Sequence, residues 1–151
     1  MKSKFTIGLV QIGLNNSPEK NLEKSLLWVR NAAKQGAEVI CLPELYSSFY
    51  FCQKEDTKYF AFAEELYSTS FKAFSALAKE LKVVIIVPFF EKRAMGLYHN
   101  TAYIIDANGS EAGLYRKCIY RTTPCSMKNT ILRQVISDLK PFRPSSAKSV
   151  P

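Results

Sequence analysis

The 151-residue sequence has no apolar run near the roughly eighteen residues that a membrane-spanning helix needs, so no membrane association is expected. It has one histidine, His99. Its four cysteines, Cys41, Cys52, Cys118 and Cys125, include no pair at CxxC spacing. A zinc site needs several such ligands in register, and none is expected. Met1-Lys2-Ser3-Lys4 leads into an alternating strand, where a secretion signal would continue into an apolar segment. The expectation is therefore a cytoplasmic protein with reduced thiols. There is no internal repeat. Acidic residues are few, 13 against 21 lysines and arginines, for a net charge of +8. Such an excess invites a nucleic-acid reading. Its distribution argues against one. Residues 118–151 hold Arg121, Lys128, Arg133, Lys140, Arg143 and Lys148 against Asp138 alone, a net +5 that leaves +3 for residues 1–117.

What is present is enough apolar side chain, 47% of residues, for one core and one domain. Phe5 to Ile12 alternates and reads as a strand. Ser17 can cap a helix whose first position suits Pro18. Leu22, Leu26, Val29 and Ala33 then recur at helical spacing until Gly36 ends it. Ala37 to Leu42 is a wholly apolar strand stopped by Pro43. Tyr46 to Lys58 is aromatic, polar and irregular, and a short helix is expected within Tyr59 to Leu66. Ser68 to Leu81 carries an apolar stripe, Phe71, Phe74, Leu77, Ala78 and Leu81, of a second amphipathic helix. Strands follow at Val83 to Phe90, Tyr98 to Asp106 and Glu111 to Lys117, with a turn at Ala107-Asn108-Gly109-Ser110. Alternating strands and helices imply a layered α/β fold. After Lys117 the periodicity fades. Val135, Ile136 and Leu139 form one weak helical face, and Pro141 to Pro151 reads as disordered.

Two short motifs stand at strand ends: Leu42-Pro43-Glu44-Leu45 and Gly113-Leu114-Tyr115-Arg116-Lys117. Alone, Glu44 would be a solvated turn residue and Lys117 part of an exposed edge. Together, and with the Phe5 to Ile12 strand and His99-Asn100-Thr101-Ala102, they resemble the Glu and Lys motifs of the nitrilase superfamily of carbon–nitrogen hydrolases. Tyr50-Phe51-Cys52-Gln53, followed by Tyr59-Phe60 and Ala63-Glu64, is similar to the N-carbamoylputrescine amidases within it. The resemblance implies an α-β-β-α sandwich, of which residues 1–117 are the N-terminal part. It implies that Glu44 is a general base and that Lys117 stabilises an oxyanion. The third member of the family's set is a nucleophilic cysteine in a Cys-Trp motif beyond the Lys. That motif is absent, and the one tryptophan is Trp28. Cys41 reads as core packing and Cys52 as part of the aromatic loop. Cys118 falls on the opposite strand face from Lys117. His99 reads as structural.

The family continues after Tyr-Arg-Lys roughly as Met-His-Ile-Pro-Asp-Asp-Pro, and later as Glu-Lys-Tyr-Tyr-Phe-Thr-Pro-Gly-Asp. Here the chain reads Cys118-Ile119-Tyr120-Arg121-Thr122-Thr123-Pro124. These residues can be encoded TGC ATA TAC CGG ACG ACC CC. Read one base earlier, after an A, this gives the first family segment. Met127 to Ile136 can likewise be encoded so that the earlier frame gives the second. The expectation is that one A was lost near the Lys117 codon. Residues 118–151 would then be out-of-frame translation, ending at a chance stop before the cysteine motif. The sheets would lack their later strands, leaving a marginal, aggregation-prone product without activity.

The leading expectation is thus an amidohydrolase lineage acting on a small amide or carbamoyl amine, N-carbamoylputrescine first, with no metal or organic cofactor. Its homo-oligomeric assembly is implied by the family. A basic protein binding nucleic acid through its tail is the alternative from another class. A regulatory fragment that joins full-length homologues is a third.

Overall fold

The computed structural model describes residues 4–51 and 56–117. Along the chain lie β1 (Ile7–Leu9), α1 (Pro18–Lys34), β2 (Val39–Cys41), a 3-10 helix (Thr57–Phe62), α2 (Thr69–Leu81), β3 (Val84–Ala94), β4 (Leu97–Ile105) and β5 (Glu111–Arg116). The strands form one sheet in the order β1-β2-β3-β4-β5. β1, β2 and β3 are parallel, because a helical crossover separates each pair. β3, β4 and β5 are antiparallel.

α1 starts as its sequence predicts. Ser17 is extended, its Oγ accepts a hydrogen bond from the Lys20 amide at 3.3 Å, and Pro18 and Glu19 occupy the first turn. Val29 of α1 and Phe74, Leu77 and Ala78 of α2 share one core with Ile40, Ile85, Val87, Phe89, Tyr103 and Ile105 of the sheet. Strand alternation puts those sheet residues on one face, so both helices cover the same side. The described residues thus supply one helix layer and one sheet layer. On the other parity, Phe5, Ile7 and Leu9 at the sheet edge stay exposed.

The elements depart from the sequence reading in three places. β1 and β2 are three residues each, shorter than the apolar runs that mark them. β3 runs on through Glu91 to Ala94, because pairing with β4 extends a strand past the end of its apolar stretch. The helix expected within Tyr59 to Leu66 is the 3-10 helix at Thr57–Phe62. Ala63 then turns extended, and Glu64 bridges Glu91. The Glu64 amide donates to the Phe90 carbonyl, and the Lys92 amide to the Glu64 carbonyl, each at 2.8 Å. These two bonds fasten the aromatic segment to β3. The weak helical face at Val135, Ile136 and Leu139 lies outside the described residues, as does the rest of 118–151.

The turn between β4 and β5 is close to its sequence form. The Asp106 and Asn108 carbonyl-bearing side chains accept from the amides of Ala107 and Ser110 at 2.6 and 2.7 Å. Gly109 has φ of 87°, and a Cβ there would lie 2.7 Å from the Ser75 carbonyl oxygen of α2. The glycine therefore lets the hairpin sit directly on the helix. Gly109→Ala should cost about 2 kcal/mol through the left-handed backbone and the backbone clash. Thermal unfolding of the two chains checks this, and an unchanged midpoint would contradict the packing described.

Candidate active site

Glu44 stands just past β2, at the carboxyl end of the parallel pair β1 and β2, where open α/β sheets leave room for ligands. Its loop is held on several sides. The Leu42 amide donates to the Ile86 carbonyl at 3.0 Å, and the Tyr46 amide to the Pro88 carbonyl at 3.2 Å. Asn21, fully buried in α1, donates through Nδ2 to the Ser47 carbonyl at 3.0 Å. Leu45, also buried, takes φ of 53°. A branched residue in the left-handed region is strained, and its neighbours over-determine it here. The strain falls on the residue next to the carboxylate.

Lys117 follows β5. Its amide donates to the Asn100 carbonyl at 2.8 Å, which continues the β4–β5 ladder one step. Its Nζ lies 3.3 Å from Glu44 Oε1, with 12% of the lysine side chain and 33% of the glutamate side chain exposed. Asn100 of β4 completes the cluster, its Nδ2 donating to the same Oε1 at 2.6 Å. The two residues singled out in the sequence, 73 positions apart, therefore meet, and Asn100 joins them. A carboxylate with one oxygen engaged can still accept a proton, and the adjacent ammonium can stabilise nearby negative charge.

Behind Asn100 and Lys117, on the helix side of the sheet, is a buried ion pair. Glu91 of β3 is fully buried and accepts from Arg116 Nε and Nη2, each at 2.7 Å, and from Thr101 Oγ1 at 2.6 Å. Burial favours the neutral acid, but the guanidinium and the hydroxyl outweigh it and hold Glu91 below the ordinary carboxylate value. A second carboxylate anchors the aromatic loop. Glu64 accepts from Tyr46 Oη at 3.1 Å, from Ser68 Oγ at 3.0 Å and from Ser70 Oγ. Burial and the Glu64 charge push the Tyr46 phenol well above its usual value, so it stays a donor. Phe60 stacks on Tyr98 at 4.4 Å between ring centres, and Phe51 lies edge-on to Phe90 at 5.2 Å. This aromatic wall adjoins Asn100, whose partner across the ladder is Phe90.

A sequence model of the carbon–nitrogen hydrolase family matches residues 6–136. The chain belongs to that family. Its relatives include a citrullinase of Francisella tularensis, 38% identical over 112 residues, which are 74% of this chain and 39% of the relative. An N-carbamoylputrescine amidase of Oryza sativa is 37% identical over 116 residues, 76% of this chain and 38% of the relative. Among solved structures, a carbon–nitrogen hydrolase from Helicobacter pylori matches with a TM-score of 0.69 and 38% identity, over 75% of this chain and 39% of the other. The chain thus spans about two fifths of the length of these relatives. The fold is the nitrilase-type α/β fold expected from the motifs, in its N-terminal part. The family match runs on past Lys117 into the region read as tail.

In this member of the carbon–nitrogen hydrolase family the described residues bring Glu44 and Lys117 together, and no thiol is bonded to either among them. Cys41 is half-buried in β2, donates to the Leu42 carbonyl at 3.5 Å, and has its thiol pushed up by burial. That keeps it protonated and a poor nucleophile. Cys52, Gln53, Cys118 and Cys125 lie outside the described residues. His99 lies opposite Glu91 in the ladder, with its Nε2 buried and unpartnered. No group of three or more His, Cys, Asp or Glu among the described residues could hold a metal ion. No described helix is long and apolar enough to cross a membrane.

Asn100 and Glu91 went unassigned in the sequence. A signal for each existed: an Asn inside a strand, where it is depleted, and an acid ending a run of buried apolar residues. Pairing either with its partner needs the strand register, which no local pattern gives.

Glu91 carries a testable consequence. A carboxyl held low when folded stabilises the fold above its unfolded value of about 4.5, and that contribution is lost as pH falls through the folded value. Glu91→Gln should lower stability at neutral pH by about 3 kcal/mol, since it leaves Arg116 unpaired. The variant's stability should also fall less steeply than the parent's below pH 4.5. Urea titrations from pH 3 to 7 would measure both, and parallel acid limbs for the two proteins would rule this out.

Proposed function

We propose that Glu44 and Lys117 are the base and the oxyanion-stabilising cation of a carbon–nitrogen hydrolase site built for a carbamoyl amine. N-carbamoylputrescine is the leading substrate. The observation that carries the reading is the convergence on Glu44 Oε1 of Lys117 Nζ and Asn100 Nδ2, 3.3 and 2.6 Å away. An arrangement that only solvated a strand end would not hold a lysine mostly buried against a carboxylate. Support for the substrate class comes from the names of the relatives. Four N-carbamoylputrescine amidases from plants align at 33–37% identity. The citrullinase points the same way, since citrulline also ends in a carbamoylated amine.

A carbamoyl carbon resists attack by water, so the route passes through a thiolate adduct. Glu44 takes the thiol proton as sulfur bonds to that carbon. Lys117 sits where the carbonyl oxygen gains charge. The first amine leaves with a proton returned by Glu44, which then activates water to release the carbamoyl group from sulfur. In sum, N-carbamoylputrescine and water give putrescine, carbon dioxide and ammonia, with no metal or organic cofactor. Such an enzyme would work in the cytoplasm as a homo-oligomer.

The nucleophile is the group that the present chain lacks in its family setting. Residues 1–117 are then the hydrolase part of the chain and residues 118–151 an out-of-frame part. One A restored beside the Lys117 codon should therefore yield a protein that releases ammonia from N-carbamoylputrescine, while the 151-residue chain releases none. In the restored protein Glu44→Gln should lower kcat by roughly a hundredfold or more. The nucleotide sequence is the decisive control. Codons for Met127 to Ile136 whose earlier frame does not read Glu-Lys-Tyr-Tyr-Phe-Thr-Pro-Gly-Asp would sink the out-of-frame assignment. Turnover by the unrestored chain would sink the claim of inactivity.

A further inference from the structure

The structure assigns Asn100 as the positioning residue that decides which oxygen of Glu44 acts as the base, an inference that rests on the role proposed for Glu44 above. Two bonds carry it. The Asn100 side chain donates through Nδ2 to Glu44 Oε1 at 2.6 Å, and its main-chain carbonyl accepts from the Lys117 amide at 2.8 Å. One residue thus fixes the carboxylate with its side chain and the lysine with its backbone.

The consequence lies in how the carboxylate's two oxygens differ. Oε1 already receives the Asn100 amide and the Lys117 ammonium. Oε2 accepts no hydrogen bond among the described residues. Two donors on Oε1 draw charge toward it and hold the plane of the carboxylate, so an arriving proton goes to Oε2. Without the amide, the last torsion of Glu44 is a broad, two-fold rotor. The carboxylate could then turn both oxygens to Lys117. A charge-assisted pair of that kind would engage the base and the cation with each other.

An amide suits this task. It donates without adding charge, so it orients Glu44 without neutralising it. Aspartate at 100 would be acceptor-only beside a second carboxylate. The strand gains nothing from asparagine, which is depleted in strands, while Thr101 beside it is a β-branched residue that fits the pleat. A residue that breaks a local preference without a packing gain points to function.

The test is made on the full 151-residue chain, isotope-labelled, by NMR without substrate. The Asn100 Nδ2 protons should exchange with solvent about tenfold or more slowly than those of an exposed asparagine, as one charge-assisted bond implies. Glu44→Ala should return them to the exposed rate. Asn100→Asp keeps the side chain's size and the main-chain carbonyl. It should shift both the Glu44 carboxyl carbon and the Lys117 ammonium signals. If that variant does not fold, Asn100→Ala is read in the same way. Asn100 protons indifferent to Glu44→Ala overturn the assignment. So do Glu44 and Lys117 signals unmoved by the change at 100, which is what a merely structural asparagine would give. No turnover is needed, so failure here is distinct from failure of the hydrolase reading. That would appear as a restored protein without activity whose Asn100 protons are still protected.

Discussion

A carboxylate with no exposure to solvent cannot stand alone, and Glu91 is such a group. It is satisfied by Thr101 of β4 and by Arg116 at the end of β5. That demand fixes more than one ion pair. If Thr101 and Arg116 turn toward Glu91 on the helix side, strand alternation sends their neighbours Asn100 and Lys117 to the other side. Those are the residues that reach Glu44. A slip of one residue between β4 and β5 would put Lys117 among the helices and leave Glu91 without Arg116. The buried charge therefore works as a register lock, a role better attested for buried ion pairs than net stabilisation.

The carboxylate half of the site is held differently. Glu44 lies on a loop, and loops beyond parallel strands have no ladder to fix them. Here a buried amide, Asn21, and the main chain of β3 hold the loop, and Leu45 bears a left-handed conformation within it. The aromatic segment adds a further tie. Glu64 bonds along the edge of β3 while its carboxylate gathers Tyr46, Ser68 and Ser70. Tyr46 thus joins the Glu44 loop to that segment. Two elements remote in sequence are pinned to one strand.

Much of this was legible in the sequence, and the reason is local. Ser17-Pro18, the stripe through Phe74 and Leu77, the turn at Asn108-Gly109 and the apolar strand ending at Pro43 each follow from short-range chemistry. Their positions hold within a few residues. Glu44 and Lys117 were legible only through family resemblance, since a Pro-Glu step and a Tyr-Arg-Lys step mean little alone. Asn100 stands within a motif that gives it no role of its own, and Glu91 shows in the sequence only as an acid at the end of an apolar run. Their meaning comes from the pairings Glu91 with His99 and Thr101 with Arg116, which are properties of register. The polar continuation of β3 was lost for the same reason, because a strand that extends by pairing leaves no apolar signature.

What the described residues achieve bears on how such a site can be assembled. A carboxylate and an ammonium brought together from the ends of β2 and β5 need the two strands between them, β3 and β4, in order, and the described residues provide that. Both groups are oriented by bonds to residues between 21 and 117, so their geometry is preset rather than imposed by a substrate. Preorganised charge is worth most in catalysis because nothing has to reorient as the reaction proceeds. The ammonium and the carboxylate stand 3.3 Å apart, and a third of the glutamate side chain is open to solvent. A fully closed pair would be satisfied and inert. One left partly exposed, with one carboxylate oxygen unbonded among the described residues, keeps the capacity to exchange a proton with whatever is placed beside it.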